Sequence, residues 1–190
     1  MDERWPDAWR DFHHGVRVGA LWVGPPWERR SADAIAVVID PGRAFGTGAH
    51  ATTRLCLELL QDVEPGSLLD VGCGSGVLSI AAAKLGFAPV GAFDIDEVAL
   101  ETTEANASAN GVDVEILGEL RPAGLAVMNI ALDVVEAMLP KLAVDRAITS
   151  GYIERDEPRA EGWRRRERHV RDGWAADLLR REPHQELEQP

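Results

Sequence analysis

The chain has 190 residues, enough for one domain with a sizeable core. Its 20 Lys and Arg against 32 Asp and Glu give a formal net charge of −12. That excludes the broad basic face of a general nucleic-acid binder and suits either a basic substrate or simple solubility. Two cysteines, Cys56 and Cys73, make neither a disulfide framework nor a metal-ligand set. No apolar run is long enough to span a membrane, and Asp2, Glu3 and Asp7 do not open a signal peptide, so a soluble cytoplasmic protein is the expectation.

Residues 1–33 read as a lead-in and strand. Met1 to His14 suggests a short, partly helical start. Val16 to Val23 alternates like one half-buried strand, and Pro25-Pro26-Trp27 turns the chain. The main domain is expected over 34–182. Ala34 to Ile39 is its first strand, expected to pair with the preceding one. Thr52 to Gln61 is helical, with Leu55, Leu59 and Leu60 on one stripe and Thr52 as N-cap. Ser67 to Val71 is a strand, and Val77 to Leu85 a helix closed by Gly86. Ala88 to Phe93 is a strand, and Glu97 to Ala109 a helix ended by Asn110-Gly111. Val112 to Ile116 and Leu125 to Met128 are strands. Leu132 to Leu142 is helical with a break near Pro140, and Arg146 to Thr149 is a strand.

That alternation predicts a doubly wound, mostly parallel α/β sheet of Rossmann type. Trp163 to His169 and Ala175 to Arg181 flank Arg171-Asp172-Gly173, which predicts an antiparallel hairpin on one sheet edge. The arginines there are read as solvating exposed strand faces. Residues 183–190 form a polar tail expected to be disordered. Asn106-Ala107-Ser108 fits a glycosylation sequon, which has no use in a cytoplasmic protein.

The strand over 67–71 runs into Gly72-Cys73-Gly74-Ser75-Gly76 and then a helix, a turn in which backbone amides can meet a ligand closely. Val77 stands where a dinucleotide fingerprint wants Gly or Ala, and Asp70 lies immediately before the turn. Both features disfavour NAD and suit a ligand carrying an amino acid group. Asp94 ends the next strand, where a carboxylate can take two ribose hydroxyls. Asp96 competes for that role but is expected to cap the following helix. Cys73 has no paired base and is read as a small residue the turn needs.

Asp70-x-Gly-x-Gly-x-Gly together with Asp94 resembles the class I S-adenosylmethionine-dependent methyltransferases. Upstream, Ala44-Phe45-Gly46-Thr47-Gly48-Ala49-His50-Ala51-Thr52-Thr53 resembles the PrmA family, which methylates amino groups of large-subunit ribosomal protein L-eleven. Val16-Arg17-Val18-Gly19, Pro25-Pro26-Trp27-Glu28, Gly91 to Asp96, Asn106 to Gly111, Asn129-Ile130 and Thr149 to Ile153 extend the likeness over roughly Val16 to Gly151. Two departures are Ala51, where the family usually has Pro, and Ala131, where it has Leu. The family also carries an N-terminal domain that docks the ribosomal protein, and few residues precede Val16 here. Amino-group methylation is therefore better supported than the particular target.

The resemblance implies a seven-stranded class I methyltransferase sheet with an antiparallel C-terminal hairpin, S-adenosylmethionine as cofactor, and no metal. It implies cofactor contacts from Thr47, Gly48, Thr53, Asp70, Gly72, Gly74, Asp94, Ile95, Glu119 and Asn129. Asn129 is the expected acceptor for the incoming amine, since its amide oxygen holds an N–H without adding charge. The resemblance implies catalytic roles for Phe45, His50 and Thr53 beside it. Phe45 would wall off water, His50 would accept a proton or shape the pocket, and Thr53 would bond cofactor or amine. Expected partners are a protein substrate, a ribosomal protein among the candidates, with no direct nucleic-acid or membrane contact, in a monomer or weak dimer. Two alternatives stand beside this reading: a methyltransferase of another protein or small amine, and a non-catalytic S-adenosylmethionine-binding protein.

Overall fold

The structure, a computed structural model, describes residues 14–30, 32–40 and 48–182. The lead-in before residue 14, the tail over 183–190, and both Phe45 and Thr47 lie outside the described residues.

The expected single strand over 16–23 is two strands, β1 (Val16–Val18) and β2 (Leu21–Gly24), paired antiparallel. The break is Gly19, whose φ of +57° an L side chain rarely adopts. Gln61 braces that turn: its Oε1 accepts from the Ala20 amide at 2.8 Å, and its Nε2 donates to the Val18 carbonyl at 3.2 Å. β3 (Ile35–Val38) joins β2 in parallel, making a small three-stranded sheet with β3 at one edge.

The main sheet has seven strands: β4 (Leu68–Val71), β5 (Val90–Phe93), β6 (Glu115–Ile116), β7 (Ala123–Asn129), β8 (Val144–Ile153), β9 (Trp163–Arg171) and β10 (Trp174–Arg181). Their order across the sheet is β6-β5-β4-β7-β8-β10-β9. The first five in that order run parallel, and β10 inserts antiparallel between β8 and β9. The expected fold class is the observed one.

Neighbouring residues on the central strands face opposite sides, so each strand feeds two cores. Leu68, Val127 and Ile148 pack with Leu55, Leu59 and Ile80 on one face. Leu69, Met128 and Ala147 pack with Val135 and Leu139 on the other. The helices are α1 (Ala51–Gln61), α2 (Val77–Lys84), α3 (Glu97–Asn110) and α4 (Leu132–Met138). The predicted break near Pro140 is a 3₁₀ turn over Leu139–Lys141. Gly111, at φ +64°, ends α3 as expected. Among the described residues no helix is long and apolar enough to cross a membrane.

The hairpin corrects one reading. Arg164, Arg165 and Arg166 are exposed, as expected, but Arg168 and Arg171 are not simply solvated. Arg164 pairs with Glu182, Arg165 with Glu157, and Arg171 with Glu58 of α1. Arg168 binds the fully buried Asp177 through Nε at 2.8 Å and Nη2 at 2.9 Å, while the Tyr152 hydroxyl donates to the same carboxylate at 2.9 Å. Burial, then the Asp177 charge, raises the Tyr152 phenol and keeps it a donor.

Candidate active site

The order of strands reverses between β4 and β7, and in doubly wound sheets ligands bind outside the carboxyl ends at that point. The glycine turn leaves β4 there. Gly72, Gly74 and Gly76 have φ of +79°, +55° and +79°, so the turn is built on three left-handed positions. A Cβ on Gly72 would lie 2.5 Å from Ile130 Cγ2, which brings the turn against the residue after Asn129.

Asp94 closes the turn from β5. Its Oδ2 accepts from the Gly74 amide at 3.0 Å and its Oδ1 from the Asp96 amide at 3.0 Å. Each oxygen keeps a further lone pair for a ligand hydroxyl. Asp96 caps α3 by accepting from the Val98 amide, as expected. Ile95, between them, is 94 % exposed, an apolar side chain beside a polar rim. Glu119 is exposed on the loop after β6, two residues beyond Leu117, whose amide bonds Ala92 of β5.

Asp70 is buried beneath the turn. Its Oδ2 accepts from Ser79 Oγ at 2.5 Å and the Ser79 amide at 3.0 Å, locking α2 to β4. Its Oδ1 is buried with no hydrogen-bond partner. Desolvation outweighs the Ser79 bonds and lifts the carboxyl to about 6. An orphaned buried acceptor of this kind is the chemical complement of a cationic amino group. Cys73 is pushed up to about 12 by burial and then by Asp70, so its thiol stays protonated and inert.

Asn129 ends β7, and its Nδ2 donates to Thr53 Oγ1 at 3.2 Å. That bond joins the end of the sheet to the first turn of α1 and leaves Oδ1 as the acceptor. Thr53 is 1 % exposed. The expected N-cap of α1, Thr52, lies inside the helix. The cap is His50, with extended φ and ψ of −65° and 143°. Its Nδ1 accepts from the Thr52 amide at 3.4 Å and lies 2.8 Å from Thr52 Oγ1. Its ring meets Trp174 edge-on at 5.0 Å. Gly48 is buried at φ +85°, and a Cβ there would press on Val23 and lie 3.8 Å from Val77 at the start of α2.

The structure thus brings Asp70, Gly72, Gly74, Asp94 and Ile95 to one turn and ties Asn129 to Thr53. Gly48 lies near Val77 at the end of the turn, whereas His50 meets Trp174 of β10. Three residues with no assigned role also hold the turn. Thr103 Oγ1 donates to the Gly74 carbonyl at 3.1 Å, and Asn106 Nδ2 to the Ser75 carbonyl at 2.9 Å. Ser79 is the third. Two asparagines four apart inside a helix were the available signal, since Asn is a poor helix former without a partner.

Residues 1–180 match the family model described as ribosomal protein L11 methyltransferase (PrmA). The chain belongs to the PrmA family. A relative named ribosomal protein L11 methyltransferase from Legionella pneumophila (strain Lens) is 41% identical over 174 residues, covering 83% of this chain and 60% of that protein. One of the same name from Caldanaerobacter subterraneus subsp. tengcongensis is 43% identical over 151 residues, covering 73% and 49%. The crystal structure of ribosomal protein L11 methylase from Lactobacillus delbrueckii subsp. bulgaricus superposes with a TM-score of 0.80 at 28% identity, covering 90% of this chain and all of that one. The PrmA-family chain spans 49 to 60% of the length of these two curated relatives. Its fold is that of the class I methyltransferases.

Proposed function

We propose that this PrmA-family chain is an S-adenosylmethionine-dependent N-methyltransferase acting on a protein amino group, with a ribosomal protein as first candidate. The observation that carries the reading is the Asn129–Thr53 bond, which aims a neutral acceptor at the carboxyl end of the strand beside the glycine turn. The turn fits the cofactor by its own chemistry. Asp94 offers lone pairs to ribose hydroxyls, Ile95 an apolar surface to the base, and Asp70 an unmatched acceptor to an amino group. Gly72 and Gly74 supply the close backbone, with Gly48, Thr53 and Asn129 on the facing side. Glu119 on the next loop and Thr47 from the family motif complete the cofactor contacts, and Phe45 from the same motif walls off water.

When bound, S-adenosylmethionine supplies a methyl group on a sulfonium. The chain's own task is to present an amine lone pair in line with it. A lysine near pKa 10.4 costs about 4.6 kcal/mol to deprotonate at pH 7. Asn129 Oδ1 accepts one amine N–H and adds no charge that would favour the ammonium form. His50 supports a shaping role, because its Nδ1 serves the cap of α1. The net charge of −12 draws a basic substrate by long-range attraction.

The test is incubation of the chain with labelled S-adenosylmethionine and ribosomal proteins. Label in a large-subunit band, lost in N129A, is the expected outcome. S-adenosylhomocysteine binding without transfer to any amine in ribosomal protein or lysate would overturn the reading.

A further inference from the structure

Helix α3 performs a second operation on the cofactor turn, through an edge of the small sheet. Among the described residues β3 has one strand neighbour, β2, to which its odd residues donate, as Ile35 does to Ala20 and Ile39 to Gly24, each at 2.9 Å. Its even residues therefore face away, with Val38 and Asp40 presenting backbone groups that need partners. Two side-chain amides take the place of a strand there. Asn110 Oδ1 accepts from the Val38 amide at 2.9 Å and its Nδ2 donates to the Val38 carbonyl at 2.6 Å. Asn106 Oδ1 accepts from the Asp40 amide at 3.1 Å and its Nδ2 donates to the Asp40 carbonyl at 3.4 Å.

The spacing explains the fit. Residues four apart on a helix rise about 6 Å, and residues two apart on a strand about 6.7 Å, so two asparagines at i and i+4 meet two strand residues at i and i+2. The second proton of Asn110 Nδ2 turns back to the Asn106 carbonyl at 2.8 Å within α3, whereas Asn106 reaches the glycine turn. The second proton of its Nδ2 goes to the Ser75 carbonyl at 2.9 Å, in the middle of the glycine turn. It is 4 % exposed, with every donor and acceptor engaged. Fixing a carbonyl fixes the whole planar peptide, and the amide on the other side of this one, Gly76 N–H, closes the turn by donating to the Cys73 carbonyl at 2.8 Å. With Thr103 on the Gly74 carbonyl, one face of α3 sets two successive peptides of the turn.

We propose that Asn106 is a positioning residue for the cofactor: it holds the Ser75 peptide that closes the glycine turn, so keeping the turn's ligand-binding shape, and registers the turn against the β3 edge. The inference rests on the reading that this turn holds S-adenosylmethionine. Asn110 is its built-in control, because it makes the same edge contacts and does not touch the turn.

The experiment is calorimetric titration of the full chain with S-adenosylhomocysteine, beside thermal unfolding, for wild type, N106D and N110D. Each substitution keeps shape and removes the donor. Comparable losses of Tm are expected, with affinity falling at least tenfold in N106D and staying within twofold in N110D. N106S, which lacks the charge, is expected to show the same selective loss and serves if N106D does not fold. Unchanged affinity in the Asn106 variants, or equal loss in N110D, would overturn the proposal. Wild type that fails to bind S-adenosylhomocysteine would instead overturn the functional reading on which it rests.

Discussion

Ile130 is pressed from two sides by glycines, and the two contacts differ in kind. A methyl group on Gly72 would meet the end of the Ile130 side chain, 2.5 Å from Cγ2. A methyl group on Gly151 would meet Ile130 backbone, 2.6 Å from its carbonyl carbon and 3.0 Å from its nitrogen. Both glycines have positive φ, +79° and +102°. For G72A the left-handed backbone costs about 1–2 kcal/mol, and pushing Ile130 off its rotamer about 1 kcal/mol more. The sum, roughly 2–3 kcal/mol, lowers Tm by about 5–10 °C for a chain of this size. For G151A no side chain can yield, so backbone must move, and the loss exceeds about 4 kcal/mol. Urea unfolding of wild type, G72A, I130A, G72A/I130A and G151A measures the three terms. Removing the Ile130 side chain relieves the overlap that the G72A methyl group introduces but not its φ cost. The penalty of G72A measured in the I130A background is therefore expected to be the smaller one. A G72A protein as stable as wild type, or a G151A no worse than G72A, would refute the reasoning.

Other outcomes follow from the same geometry. Asp70 titrates near 6 in the folded chain against an ordinary 3.8, so its stabilising contribution is complete below about 4 and lost as pH rises through 6. D70N should therefore gain on wild type by roughly 3 kcal/mol between pH 4 and pH 8, and a pH-independent difference in denaturation midpoints would contradict this. D177A takes the carboxylate from the Arg168 guanidinium, which keeps its bonds to the Glu154 and Asp156 carbonyls, and should lose about 2–3 kcal/mol, while Y152F should lose about 1 kcal/mol. Calorimetric Tm values must fall in that order. N129A should lose about a hundredfold in kcat, more than it loses in S-adenosylhomocysteine affinity, because Asn129 is proposed to hold the amine as well as to contact the cofactor. Parallel loss of both would make it a cofactor ligand only. I95D should weaken cofactor binding about tenfold without lowering Tm, since the side chain is almost fully exposed.

Much of the fold was legible because its signals are local. Strand–turn–helix alternation, Gly111 after Asn110, and Pro140 at a helix break each depend on a few adjacent residues. The glycine turn and Asp94 were legible for the same reason: backbone sterics and a strand end place them. The split of 16–23 at Gly19 was missed because alternation continues across the turn, and the Gln61 side chain that braces it is far along the chain. The N-cap moved to His50 because histidine is not among the usual capping residues, and its ring nitrogen does the work of a hydroxyl. Arg168 was misread because composition cannot show that Asp177 is buried beneath it.

By itself the sequence determined the periods of the elements, the left-handed turn of three glycines, and the acidic ends of β4 and β5. These follow from φ/ψ limits and side-chain alternation, which act over a few residues. Only the tertiary structure decided which separate groups meet: Asn129 with Thr53, Asp70 with Ser79 under an unmatched oxygen, and Asn106 with both Asp40 and Ser75. The reason is that a buried polar group must find a partner in space, and a partner far along the chain is fixed by packing, not by local pattern.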